Sequence, residues 1–227
     1  MSRAILKRAV QLVVSLLILA VSLFLSAGRL DWIMAWVLLG VYVGWIVVNA
    51  VILIRKSPEL IAERSEIKAG AKTWDKALGS LVGVCGPLAT LIVAGLDARF
   101  RWSQQVPLGV PIAGLVIAMP GCFLVTWAMA SNKFFSALVR IQKDRGHSVV
   151  SDGPYRYVRH PGYVGMILFG LATPLILGSL WALIPAGLTA GLSVVRTALE
   201  DKTLQEELEG YRAYAQQVRY RLVPLVW

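Results

Sequence analysis

Apolar residues run through this chain in blocks too long for the core of a water-soluble domain. Four uninterrupted runs, residues 9–27, 32–54, 77–96 and 108–130, each supply about the 20 apolar residues that a helix needs to cross a bilayer. A fifth stretch, residues 163–198, is too long for one span and is broken by Pro174, the Gly178-Ser179 pair and Pro185. It predicts two shorter helices hinged near Gly178, with Trp181 beside the turn. Pro and Gly are tolerated at membrane depth where neighbouring helices cover the freed backbone groups. Between the second and third runs, residues 55–76 mix Glu59, Glu63, Arg64, Glu66 and Lys68 with Leu60 and Ile61. That mixture predicts a short amphipathic helix on the membrane surface. Beyond Arg196, Leu199, Leu204, Leu208 and Tyr211 recur at helical spacing among Glu200, Asp201, Glu206, Glu207 and Glu209, as in an amphipathic helix growing out of the last span.

The fold class is therefore all-α. We expect a polytopic membrane helix bundle of five to six membrane helices, the last two a short hairpin, plus a C-terminal cytoplasmic helix. Residues 1–131 carry helices one to four and the surface helix; residues 132–227 carry a loop, the hairpin and the C-terminal helix, all in one integrated domain.

Composition agrees with the pattern: 57% of residues are hydrophobic and only 16% charged, the balance of a membrane protein. The net charge of +10 does not point to nucleic acid, because the basic residues form no stripe with interleaved aromatics. They sit in the connections instead. Twenty Lys and Arg fall on the side that holds both termini, against Arg29, Arg99 and Arg101 on the other. Positive charge stays inside, so both termini are expected to be cytoplasmic. Arg3, Lys7 and Arg8 ahead of the first run resemble a signal peptide. The run is long for one, however, and lacks a small-x-small cleavage site, so it reads as the first span. Trp32, Trp36, Trp45, Trp74, Trp102 and Trp127 lie towards span ends, as interfacial anchors do. Cys85 and Cys122 sit inside apolar runs as small packing residues, with no spacing for zinc or a disulfide framework. No metal site is expected.

Chemistry concentrates after residue 132. The segment QKDRGHSVVSDGPYRYVRHPGYVG, residues 142–165, holds both histidines, three tyrosines, two prolines and four glycines just before an apolar helix. Loops that carry binding sites have this make-up, since Gly and Pro set unusual turns around a ligand. A structured interfacial loop with positive-inside arginines fits the same composition. His160 is placed either to bond a ligand or to satisfy a helix end, and His147 alone says little. Arg196 and Glu200 stand four apart on one helix face, able to reach each other or a common ligand. An ionisable residue at the depth of Arg196 marks a functional site or a snorkelling arginine paired with Glu200.

Three features together resemble the isoprenylcysteine carboxyl methyltransferase family. They are Gly-His-x-Val-Val at Gly146, Gly-Pro-Tyr-Arg-x-Val-Arg-His-Pro-x-Tyr-x-Gly from Gly153, and Arg-x-x-x-Glu at Arg196 after an apolar hairpin. The resemblance covers roughly the last two-fifths of the chain; the first four spans are alike only in hydropathy. It implies an S-adenosylmethionine-dependent methyltransferase with its cofactor cleft at the cytoplasmic edge of the bilayer. By resemblance, Gln142, His147, Ser148, Val149, Val150, Tyr155, His160, Pro161, Gly162 and Tyr163 line the cofactor. Glu200 contacts it too, and Arg196 holds the methyl acceptor. Gly162 stands where many members have serine, and Asp201 where many have a second glutamate. The acceptor is expected to be lipophilic and to arrive through the surrounding membrane lipids. The best match is the carboxylate of an isoprenylated cysteine, which needs no general base at neutral pH. An amine or thiol would need one, from Glu200 or His160.

Two other classes compete. Membrane reductases of the sterol type, which bind a nicotinamide cofactor, look distantly similar around the Arg-His-Pro-x-Tyr-x-Gly turn. A non-enzymatic scaffold or transporter is disfavoured because spans one to four hold almost no ionisable residue in their interiors. Gly79, Gly83 and Gly86 permit close helix packing within one chain or between two, which leaves the oligomeric state open.

Overall fold

The computed structural model describes residues 2–65 and 70–227, and among them all regular structure is helical. Four helical segments are long and apolar enough to cross a membrane: Ile5–Ala27, Ile33–Lys56, Thr73–Phe100 and Gly109–Ser131. The first lies in α1 (Ser2–Ala27) and the second is α2 (Ile33–Lys56). The third joins α4 (Thr73–Ser80) to α5 (Gly86–Phe100) through a π-helical turn, Leu81–Cys85. The fourth is α6 (Gly109–Ser131). Between α2 and α4 lies the expected surface helix, α3 (Pro58–Arg64), started by Pro58 in its first turn. Glu66 and Lys68 of the anticipated amphipathic segment lie outside the described residues.

The interrupted fifth stretch folds as the hairpin its Pro and Gly pattern predicts. Helix α7 (Pro161–Ile176) ends at Gly178, whose φ of +67° suits glycine, and α8 (Leu183–Glu207) returns. Where continuous periodicity to Tyr211 led us to expect one helix, the chain breaks. Helix α8 stops at Glu207, Gly210 takes φ +80°, and a separate α9 (Tyr211–Gln217) begins. The break lets Leu208, Tyr211 and Tyr214 turn back and pack with Tyr155.

Glycine sets the closest helix crossing. A Cβ on Gly165 of α7 would stand 2.6 Å from the carbonyl oxygen of Gly121 in α6, and one on Gly121 2.9 Å from that of Gly165. The two backbones touch, as small residues allow in membrane bundles. The main core joins Leu23, Leu38, Leu91, Ala118, Phe169 and Ile176, one or more from each of α1, α2, α5, α6 and α7. Helix α7, from the second half of the chain, thus shares its core with the first four spans. Buried Asp97, near the end of α5, accepts from the Ser103 backbone N–H and from the hydroxyls of Ser103 and Ser179. It ties that end of the bundle to the hairpin turn.

Two expectations change. Trp45 is no interfacial anchor: its Nε1 donates to Thr126 Oγ1 at 3.1 Å and its ring packs on Phe169 inside the bundle. Cys122 is buried as expected, but Cys85, on the π turn, is exposed.

Candidate active site

At the end of the bundle where α1 begins, a cavity of about 520 Å³ opens between the helices and the loop before α7. That size lies within the roughly 300–1,000 Å³ typical of small-ligand sites. Its walls come from different environments. The loop contributes Phe134, Phe135, His147, Ser148, Val149, Val150 and Tyr155, and the last helices contribute Leu204, Leu208, Tyr211 and Tyr214. A membrane span contributes Gly79, Ser80, Gly83 and Val84, and α7 contributes Met166. His160, Gly162, Tyr163, Arg196 and Glu200 complete the lining.

The loop has little regular structure, so side chains hold it. Gln142, fully buried, donates from Nε2 to the Phe134 carbonyl (2.7 Å) and accepts from Arg145 Nη1 (2.5 Å). Its backbone N–H meets His147 Nδ1 at 3.2 Å, and the His147 ring lies 4.5 Å from that of Phe134. Burial, then Arg140 and Arg145, lower the His147 pKa to about 4 and keep Nδ1 a neutral acceptor. Arg140 pins the loop to α3 by donating two hydrogen bonds of 2.9 Å to Glu63. Tyr214 of α9 donates to the Tyr155 carbonyl at 2.7 Å.

Asp201 is the hub behind the site. With a fully buried side chain, it accepts six hydrogen bonds: from Arg159 Nε and Nη2, His160 Nε2, Tyr211, Gln205 and Arg221. Burial alone would raise its pKa, but the bonds from His160, Arg159 and Arg221 hold it well below the usual carboxylate range. A carboxylate only accepts, so His160 Nε2 carries the hydrogen. Arg159 also donates to the Val218 and Arg219 carbonyls. Backbone bonds from Arg159 to Tyr220 and from His160 to Arg221 bring the C-terminal segment alongside.

The structure brings ten of the twelve sequence-derived candidates to the cavity wall: His147, Ser148, Val149, Val150, Tyr155, His160, Gly162, Tyr163, Arg196 and Glu200. It does not bring Gln142 or Pro161 there. Gln142 braces the loop from behind, and Pro161, also buried, forms the first turn of α7. Of the alternatives left open for Arg196 and Glu200, the direct pairing is not formed. Arg196 donates from Nε and Nη2 to Asp75 (2.6 and 2.9 Å), and Glu200 accepts from the Tyr163 hydroxyl at 2.7 Å. Among the described residues Glu200 has no ion-pair partner.

Four contributors escaped sequence reasoning: Asp75, Phe135, Arg159 and Arg64. Asp75 is fully buried, and an acid heading an apolar span was the one signal that pointed to it. Arg64, read as a charge of the amphipathic surface helix, reaches the cavity wall, where burial, Arg8 and Arg196 lower its pKa to about 10.

Fold and site define a multi-pass membrane protein with a small-molecule cavity set at one membrane face. Residues 113–206 match the model of the isoprenylcysteine carboxyl methyltransferase (ICMT) family. A protein-S-isoprenylcysteine O-methyltransferase of Schizosaccharomyces pombe is 40% identical over 60 residues, 26% of this chain and 25% of that protein. Protein-S-isoprenylcysteine O-methyltransferase B of Arabidopsis thaliana is 26% identical over 101 residues, 44% and 48% of the two chains. A Delta(14)-sterol reductase of Mus musculus is 27% identical over 155 residues, 58% of this chain and 35% of that one. These matches thus span between 25% and 48% of the relatives' lengths. The solved structure of a eukaryotic intramembrane Ras methyltransferase, ICMT, shares the fold with a TM-score of 0.58 at 19% identity, covering 96% of this chain and 86% of that one.

Proposed function

We propose that this protein transfers a methyl group from S-adenosylmethionine to the carboxylate of an isoprenylated cysteine, or to a closely related lipophilic acceptor, at the cytoplasmic edge of the membrane. One observation carries the reading: a single cavity is lined by loop residues, by membrane-span residues, and by both Arg196 and Glu200. A water-soluble donor and a lipid-dissolved acceptor need a site with that double character.

The residues fit the donor. Glu200, without a cationic partner among the described residues, suits a positively charged ligand group, and the walls of Val149, Val150, Leu204 and Leu208 suit an apolar body. Ser148, Tyr155, His160 and Tyr163 supply polar contacts, while Gln142 and Pro161 shape the loop and helix that present them. When bound, S-adenosylmethionine supplies a methyl group already activated by the sulfonium. The protein's work is then alignment, an effect worth about 7–11 kcal/mol in well-oriented reactions. Arg196 orients the acceptor carboxylate, and no side chain needs to remove a proton from it.

The test is calorimetry of the full chain in detergent with S-adenosylmethionine, wild type beside Glu200→Ala, followed by methylation of N-acetyl-S-farnesylcysteine. Saturable binding that weakens in Glu200→Ala, with methyl ester formed by the wild type, supports the reading. The partial likeness to a sterol reductase favours one alternative. Binding of NADPH in place of S-adenosylmethionine by folded wild type would establish that alternative.

A further inference from the structure

Arg196 does not present an open fork to the cavity. A guanidinium has five N–H donors. Nε–H points to Asp75 Oδ1 at 2.6 Å, and Nη2 donates to Asp75 Oδ2 and to the Ala137 carbonyl, both at 2.9 Å. Asp75 is fully buried and is itself fixed by the Val139 N–H at 2.6 Å. Tyr163 lies against the guanidinium, 5.6 Å from ring centre to Cζ. Three N–H groups are therefore committed. The two that remain are both on Nη1, which makes no hydrogen bond among the described residues, and Arg196 lines the cavity.

We propose that Asp75 is a positioning residue for the methyl transfer, restricting Arg196 to a single-point grip on the acceptor carboxylate through Nη1. The proposal rests on the acceptor reading above. A side-on fork would engage both carboxylate oxygens and draw electron density from each. An end-on grip engages one oxygen and leaves the other free to react. That free oxygen donates a lone pair to the methyl carbon and forms the O–CH3 bond. The C–S bond breaks with its electron pair passing to sulfur, so the anion and the sulfonium become a neutral ester and a neutral thioether, and no proton moves. Asp75 also neutralises Arg196, which keeps the carboxylate from being held too tightly in the ground state.

The experiment compares wild type, Asp75→Asn, Asp75→Glu, Arg196→Lys and the Asp75→Asn/Arg196→Lys double variant. Each is assayed as full chain with N-acetyl-S-farnesylcysteine and S-adenosylmethionine, and donor affinity is measured by calorimetry. Asp75→Asn should lower kcat about ten- to a hundredfold while the acceptor KM does not rise and donor affinity holds. With Lys at 196 there is no fork to restrain, so the second substitution should cost nothing further. Should Asp75→Asn fail to fold, Asp75→Glu carries the test, with the same fall in kcat at unchanged KM. A rise in acceptor KM at constant kcat, additive losses in the double variant, or parallel loss of donor affinity would overturn the assignment. A wild type that binds S-adenosylmethionine but never methylates the probe refutes the acceptor reading itself, and this assignment with it.

Discussion

Replacing Asp201 by Ala removes the acceptor of six hydrogen bonds, four of them buried, and leaves Arg159, only 6% exposed, without its counter-ion. Taking one partner from a buried ion pair costs about 3–5 kcal/mol, because the surviving charge stays desolvated. Arg159 keeps its bonds to the Val218 and Arg219 carbonyls, which places the loss towards the lower end of that range. Against a total stability of about 5–15 kcal/mol, even 3 kcal/mol is a large share. Asp201→Asn, which retains one acceptor and the shape, should cost less. The assay is reversible unfolding in mixed micelles, with S-adenosylmethionine affinity measured on the folded fraction. The same carboxylate predicts a pH dependence. Its native pKa is lowered, so its contribution is fully present above about pH 4 and is lost as the pH falls further. An Asp201→Ala protein within about 1 kcal/mol of wild type would refute the hub role.

Three further outcomes follow from the geometry. His147, half-buried and held near pKa 4 against an ordinary 6.5, stays neutral in the folded loop at pH 5.5, so the loop loses stability as pH falls below 6.5. A ring titration by NMR with a midpoint above 6, in place of the value of about 4, would contradict this. A Cβ on Gly162 would come within 2.5 Å of the Phe135 ring. Gly162→Ser should therefore weaken donor binding about tenfold by pushing that ring into the cavity, and Phe135→Leu should restore most of the loss, as calorimetry on the single and double variants can show. Gly165→Ala drives a methyl against the Gly121 carbonyl and should destabilise the bundle by about 1–3 kcal/mol, read from unfolding in mixed micelles.

Long-range order in this protein was readable wherever a single segment sufficed to specify it. Span length and the Pro and Gly of the hairpin are local quantities, and they led to α2, α6 and α7 with ends within a few residues, whereas α1 starts seven residues before its expected span and α8 runs nine beyond the expected end of the hairpin. The helix through Leu199–Tyr211 misled because its apolar spacing continues past Gly210, and only packing with Tyr155 shows that the chain turns there. At the site, residues clustered in one loop were legible together. What pairs with what was not. Asp75 lies 121 positions from Arg196, and nothing local distinguishes an acid that heads a span from one in solvent. By sequence Asp201 reads only as standing in place of a second glutamate, whereas it faces the hub and Glu200 the cavity because adjacent helix positions differ by about 100°.

Helix α8 runs unbroken from Leu183 to Glu207 and carries Arg196 and Glu200 on it. At 1.5 Å per residue their backbones are about 6 Å apart along the axis, one turn of a stiff rod. In the proposed reaction that rod works as a gauge block. The spacing between the group that orients the acceptor and the group that faces the donor is machined into backbone geometry, beyond the reach of loop motion. Loops can drift in sequence, and lipid tails can differ in length, without changing the gap across which the methyl must pass. A single inserted residue between Arg196 and Glu200 would lengthen it by about 1.5 Å and swing one group about 100° around the axis.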